Sequence, residues 1–405
     1  MAQSFRLKRF TNVAILKRID FALLIRFFES QAVFRRFLEE RGLRWTHDPD
    51  QFEFEDLARI LMSPGVDTPE ALLDALYFVD NLADPDCYER ILHECQELEI
   101  DLGTGDPSPE DLTLLAWLAD PNILERVHAE QYRARPQKFE SYFTSMVQRP
   151  DMPHLSDELL RQLEDDLNGW YEFKKKGRGA RVFPFVREDG VWLLIRHGQR
   201  IKREGTVEAD GESGSVFYRP EKFDVLILYP QSGELAINTE TKGERQAFCL
   251  YLGKHLFGDE AFFRFDDPVS KYTLQPLIDH GRQSLLWNDV DGLDGIDLIE
   301  LHIEHDSEQH DLEIRRSHDV FRALKDKGRN LADESASIRL VRAKFRVRFV
   351  GGKERIVTIE PPNIAAFDRE SDSAIIHEWM TRRGFICYEQ EQQADVDADA
   401  VLATA

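Results

Sequence analysis

The chain has 405 residues, 42% of them hydrophobic and 31% charged, which is the composition of a globular protein with room for two or three domains. A net charge of −23, averaged over the surface, opposes nonspecific attraction to nucleic acid or to an anionic membrane. No run approaches the roughly 18 apolar residues of a membrane span, and the N-terminal residues lack the apolar core of a secretion signal. A cytoplasmic protein with no membrane partner is expected. The four cysteines, Cys87, Cys95, Cys249 and Cys387, form no CxxC pair and read as structural thiols.

Residues 1–168 are expected to be helical. After Asp20, Leu24, Phe27, Phe28, Phe34 and Leu38 follow helical spacing up to Gly42. Thr68-Pro69-Glu70 and Ser108-Pro109-Glu110 each place a hydroxyl at N-cap, proline at N1 and acid in the first turn. The two starts lie forty residues apart, a spacing seen in helical-pair repeats, although an irregular bundle fits the whole stretch better.

The pattern changes at Gly169, and residues 169–388 read as a mixed domain with a sub-boundary near 265–290. Val182–Val186, Val191–Ile195, Phe223–Tyr229 and Glu234–Thr241 are short apolar runs between turn residues, as strands require. Glu204–Ser215 reads as an exposed acidic loop, and Gln246–Leu256 as a helix. Ile296–Ile303 with Leu312–Arg315 reads as a hairpin. Ile338–Val350 and Glu354–Ile359 flank Gly351-Gly352, a two-residue hairpin signal. A helix over Ser373–Arg383 and a last strand over Phe385–Tyr388 follow. Residues 389–405 read as a disordered acidic tail. The fold class expected is α+β.

The average charge conceals a local reversal. Residues 173–203 carry Lys174, Lys175, Lys176, Arg178, Arg181, Arg187, Arg196, Arg200, Lys202 and Arg203 against Glu188 and Asp189, a net +8 that leaves −31 elsewhere. With Phe183, Phe185 and Trp192 nearby, such a segment suits either a nucleic-acid groove or a contact with an acidic protein surface. A second cationic stripe, Arg342, Lys344, Arg346 and Arg348, alternates with apolar residues on one strand. It reads as a phosphate surface or as a face paired with acidic neighbours. His302, His305 and His310 are interspersed with acids, but strand geometry sends the first two to opposite faces.

One stretch carries residues suited to catalysis. Residues 222–256 run KFDVLILY-PQSG-ELAINTETK-GERQAFCLYLGKHL, with Asp224 on a first strand, Glu240-Thr241-Lys242 closing a second, and a helix after it. This stretch resembles the core of the PD-(D/E)XK nuclease superfamily. The resemblance implies a Mg2+ ion held by Asp224 and Glu240, with Lys242 activating water or contacting phosphate. Phe223 stands where that family often has proline. Two registers are open. A four-residue loop Pro230–Gly233 pairs Tyr229 with Glu234 and sets Asp224 opposite Thr239, with Glu240 on the other face. A three-residue loop instead pairs Pro230 with Glu234 and sets Asp224 opposite Glu240.

The general run of the chain (RPEKFDVLILY, LFGDEAFF, EPPN, RRGF) resembles bacterial proteins of mobile or defence gene clusters. Two functions follow. The first is a non-enzymatic component without cofactor that assembles with protein partners and contacts DNA or RNA through 173–203 and 342–348. The second is a Mg2+-dependent nuclease using Asp224, Glu240 and Lys242.

Overall fold

The structure, a computed structural model, describes residues 7–387 except 63, 66, 103–104, 134–137, 145–153, 188–189, 208–210, 307–308, 310 and 370. The acidic tail and His310 fall outside the described residues. The chain divides into two compact units, Met1–Gln131 and Tyr132–Ala405.

The first unit is helical, with α1 (Val13–Leu16), α2 (Phe21–Glu29), α3 (Ala32–Glu40), α4 (Phe54–Met62), α5 (Glu70–Leu82), α6 (Pro85–Glu97), α7 (Pro109–Ala119) and most of α8 (Pro121–Arg133). Their starts follow from local chemistry. Asp20, Asp84 and Ser108 each accept a backbone N–H at the helix mouth. At α5 the cap position falls on Pro69, and the Thr68 hydroxyl instead accepts from Gly65. Gly42 ends α3 with φ +94°, a conformation only glycine adopts freely. Phe27, Phe28, Phe34 and Leu38 are all fully buried in one apolar core.

The second unit is built on a ten-stranded antiparallel sheet in the order β2-β3-β6-β7-β1-β12-β11-β10-β8-β9. Its strands are β1 (Lys138–Phe143), β2 (Arg181–Val186), β3 (Val191–Gly198), β6 (Glu221–Tyr229), β7 (Glu234–Asn238), β8 (Leu293–His305), β9 (Leu312–Arg316), β10 (Ile338–Phe349), β11 (Glu354–Glu360) and β12 (Ile364–Ala366). Strands β4 (Lys202–Val207) and β5 (Ser213–Tyr218) form a separate two-stranded ribbon. Helices α9 (Asp157–Phe173) and α10 (Lys242–Phe257) cover one face of the β2-β3-β6-β7 half. Helices α11 (Gln275–Asp279), α12 (Val320–Asp326) and α13 (Ser373–Arg382) pack on the other half.

The fold is α+β, helical first and strand-rich second. The unit division falls before residue 168, because Phe139, Tyr142 and Phe143 on β1 sit in the sheet, and Leu163, Leu167 and Tyr171 on α9 pack against it. The sub-boundary near 265–290 marks a change of core within one sheet: the α9–α10 core ends near Phe265 and the next begins at Tyr272. The expected loop 204–215 is instead most of the β4–β5 ribbon, paired from Lys202↔Tyr218 to Val207↔Ser213. Of the expected last strand, the described residues contribute a single bridge, Tyr272↔Ile386.

Candidate functional site

Strand alternation and one helix cap build a buried polar cluster at the end of the α9–α10 core. On β3, Leu193 and Ile195 face that core, so two residues on His197 does too. On β6, Leu226 and Leu228 face it, so Asp224 and Lys222 continue the same row. The β3–β6 register sets Ile195 opposite Asp224 and His197 opposite Lys222.

Helix α10 supplies the remaining carboxylate. Thr241 is its N-cap and Glu244 its N3 residue, forming a capping box. Glu244 Oε2 accepts from the Thr241 amide at 3.1 Å, the Thr241 hydroxyl at 2.9 Å and the Thr239 hydroxyl at 2.8 Å. Its Oε1 accepts from the Lys176 ammonium. Lys176 arrives from the turn that ends α9, where Lys175 and Gly177 adopt φ +63° and +82°.

The result is dense and dry. His197 Nε2 lies 3.0 Å from Asp224 Oδ2 and 3.9 Å from Glu244 Oε1, and Lys222 Nζ lies 2.9 Å from Asp224 Oδ1. The side chains of His197, Asp224 and Glu244 are at most 1% exposed. The Tyr171 ring stacks on His197 with centroids 4.2 Å apart. Burial pushes the Glu244 carboxyl upward, but the Lys176 hydrogen bond and the Lys222 charge outweigh it and hold its pKa at about 2. Burial and the two carboxylates raise the Tyr171 phenol well above its usual range. Burial alone would lower the Lys222 ammonium; the Asp224 charge reverses that and raises it.

The hairpin β6–β7 takes the four-residue loop: Tyr229 pairs with Glu234 and Val225 with Asn238. Asp224 therefore meets Glu244 and His197 rather than Glu240. Glu240 is 75% exposed, and its nearest cation is Lys222 at 3.7 Å. Lys242 begins α10, with its ammonium 5.8 Å from the Phe265 ring centroid and outside the cluster. Asp224 is thus the sole member of the expected catalytic set inside the cluster.

The cationic segment splits into two groups. Lys176 is drawn into the cluster, Arg178 pairs with Glu172 at 2.9 Å, Arg181 lies 3.8 Å from Glu164, and Arg196 lies 3.7 Å from Glu221. Lys175, Arg187, Arg200, Lys202 and Arg203 are exposed without an acidic partner among the described residues, and Lys174 lies over the Trp170 and Phe173 rings. Arg219, absent from the expected set, gathers part of this group. It donates to the carbonyls of Lys175 and Gln199 and so ties the α9 turn to the foot of the β4–β5 ribbon. Exposed aromatic rings stand nearby: Phe173 at the last turn of α9, and Phe217 opposite Arg203.

The second stripe is neutralised within the sheet. Lys344 reaches Glu300 at 3.0 Å, Arg342 reaches Glu360 at 3.4 Å, Arg346 lies 4.0 Å from Glu354, and Arg348 bonds Asp297. His302 and His305 are likewise engaged, with Glu300 and Glu313.

Against known proteins, no family model matches the chain, and no curated protein matches it. Among the described residues no helix is long and apolar enough to cross a membrane.

Proposed function

We propose that this protein is a non-enzymatic, nucleic-acid-contacting component of a larger protein assembly. Its contact surface is the foot of the β4–β5 ribbon together with the turn that ends α9. One observation carries the reading: among the described residues Lys174, Lys175, Arg200, Lys202 and Arg203 lack acidic partners, whereas the cations of 342–348 all face carboxylates. Unpaired cations on one surface release counterions from phosphates, and paired ones do not. Exposed Phe173 and Phe217 supply faces on which unstacked bases can rest. The ribbon also exposes Val207 and Val216. An isolated two-stranded ribbon is marginal alone, which favours an arm ordered further by a protein partner.

Fluorescence anisotropy with short DNA and RNA strands, single and double, tests this reading. Changing Lys174, Lys175, Lys202 and Arg203 to Glu should weaken binding by roughly 100-fold or more at about 0.1 M salt. It should also flatten the slope of log K against log salt by about 3. The same change at Arg342, Lys344, Arg346 and Arg348 should leave that slope unchanged. Affinity that ignores salt, or that survives the first set of changes, refutes the proposal.

A further inference from the structure

His197 is placed between acceptors on both sides. Its Nδ1 lies 2.9 Å from the Gly198 carbonyl oxygen, so Nδ1–H donates there. Its Nε2 then points at Asp224 Oδ2 and, farther off, at Glu244 Oε1. A neutral ring in that tautomer sets a nitrogen lone pair against carboxylate lone pairs at 3.0 Å. The contact at 3.0 Å closes on a proton shared by the two groups or on a metal ion bound to both.

Three features favour the metal. One donor atom each from His197, Asp224 and Glu244 lie within 4.8 Å of one another; bonds of about 2.0–2.2 Å to one ion suit such spacing. A ring nitrogen tied to a backbone carbonyl, leaving the other free, is the outer arrangement that orients metal-bound imidazoles. One buried oxygen beside the triad also has no hydrogen-bond partner among the described residues. It is the Tyr171 hydroxyl, whose ring stacks on His197.

We propose that His197, Asp224 and Glu244 form a site for a borderline divalent transition metal such as Zn2+ or Mn2+, gated by Lys176. One imidazole nitrogen with two carboxylates favours these ions over Mg2+ and Ca2+, which take all-oxygen shells. Lys176 and Lys222 already balance the two carboxylates. A divalent ion entering beside both ammoniums would leave buried positive charge unpaired. Lys176 is 17% exposed against 12% for Lys222, so its ammonium is the one that swings into solvent when metal enters. Metal binding then opens the Lys176–Glu244 pair.

The test is isothermal titration of the full chain at pH 7 with ZnCl2, MnCl2 and MgCl2. One Zn2+ or Mn2+ per chain should bind, with Mg2+ at least about 100-fold weaker. Lys176→Met should tighten Mn2+ binding about tenfold or more by removing the competing ammonium. His197→Gln and Asp224→Asn should abolish saturable binding while circular dichroism stays unchanged. Co2+ titration gives an independent readout, visible ligand-field bands that vanish in His197→Gln. If Lys176→Met does not fold, wild type against His197→Gln carries the test. No saturable Zn2+ or Mn2+ binding by the wild type, or equal binding by His197→Gln, overturns the proposal and assigns the position to a proton.

Discussion

Two carboxylates of this protein, Glu244 and Glu300, are both held at a pKa of about 2, yet they sit in different surroundings. Glu244 takes Lys176 and lies near Lys222 and His197, whose side chains are 17%, 12% and 1% exposed. Glu300 takes Lys344 at 3.0 Å, Arg316 at 2.6 Å and His302 at 2.9 Å, and Arg316 is 70% exposed. Similar partner sets thus lower both acids. The difference is what happens when a partner is lost. Glu300 is itself only 6% exposed, but its partners Arg316 and Lys344 are 70% and 27% exposed and can turn to water; no cationic partner of Glu244 is more than 17% exposed. The first is a ladder on a sheet face whose cations reach water, and the second commits its members to one another.

That difference is tested most severely by removing each charge. Glu244→Gln leaves the Lys222 ammonium, 12% exposed, short of one carboxylate and weakens the capping box. A loss of about 3–5 kcal/mol in unfolding free energy is expected at pH 7 with chelator present. Glu300→Gln leaves cations that can turn to water, and about 1 kcal/mol or less is expected. Urea denaturation of both variants decides it, and equal losses would remove burial as the distinguishing feature.

Acid gives the next largest effect. A carboxyl whose folded pKa lies below its ordinary 4.5 stabilises the fold above that value, and the benefit is lost as pH falls from 4.5 towards 2. For Glu244 the interval corresponds to about 3 kcal/mol; for Glu300, whose partners Arg316 and Lys344 reach water, screening reduces it to about 1 kcal/mol or less. In metal-free protein, stability measured from about pH 5 downwards should therefore fall markedly less in Glu244→Gln than in wild type. A Glu244→Gln profile parallel to the wild type would show that other acids govern the acid transition.

Much of this arrangement is legible in the amino-acid sequence. The rows Leu193-x-Ile195-x-His197 and Lys222-x-Asp224-x-Leu226 follow strand alternation, and Thr241-x-x-Glu244 is a capping-box pattern. Those signals place His197, Lys222, Asp224 and Glu244 on the ends of their elements. The missing step is adjacency. Strands β3 and β6 pair across the inserted β4–β5 ribbon, and no local pattern states which strands will be neighbours. The E-x-K motif points to Glu240 instead, two residues beyond β7 and exposed. The ribbon itself is obscured by its glycines and acids, which resemble a loop when read without pairing partners. The 342–348 stripe shows the same limit, because its neutralising acids lie on β8 and β11, up to about fifty residues away.

The smallest effect separates the two regions by salt. At 1 M ionic strength the Debye length shrinks to about 3 Å, which screens exposed pairs and barely reaches buried ones. Lys344→Met removes one rung of the ladder, and its cost, about 0.5 kcal/mol, should largely disappear between about 0.1 and 1 M NaCl. Lys176→Met leaves the buried Glu244 carboxylate short of its nearest ammonium, and salt cannot enter to replace it. Its cost should persist at both concentrations, whatever its size. Chemical denaturation in NaCl, with chelator present, reads the difference directly. Should the Lys176→Met penalty also fade with salt, ions reach Glu244, and the cluster is open to solvent on the Lys176 side.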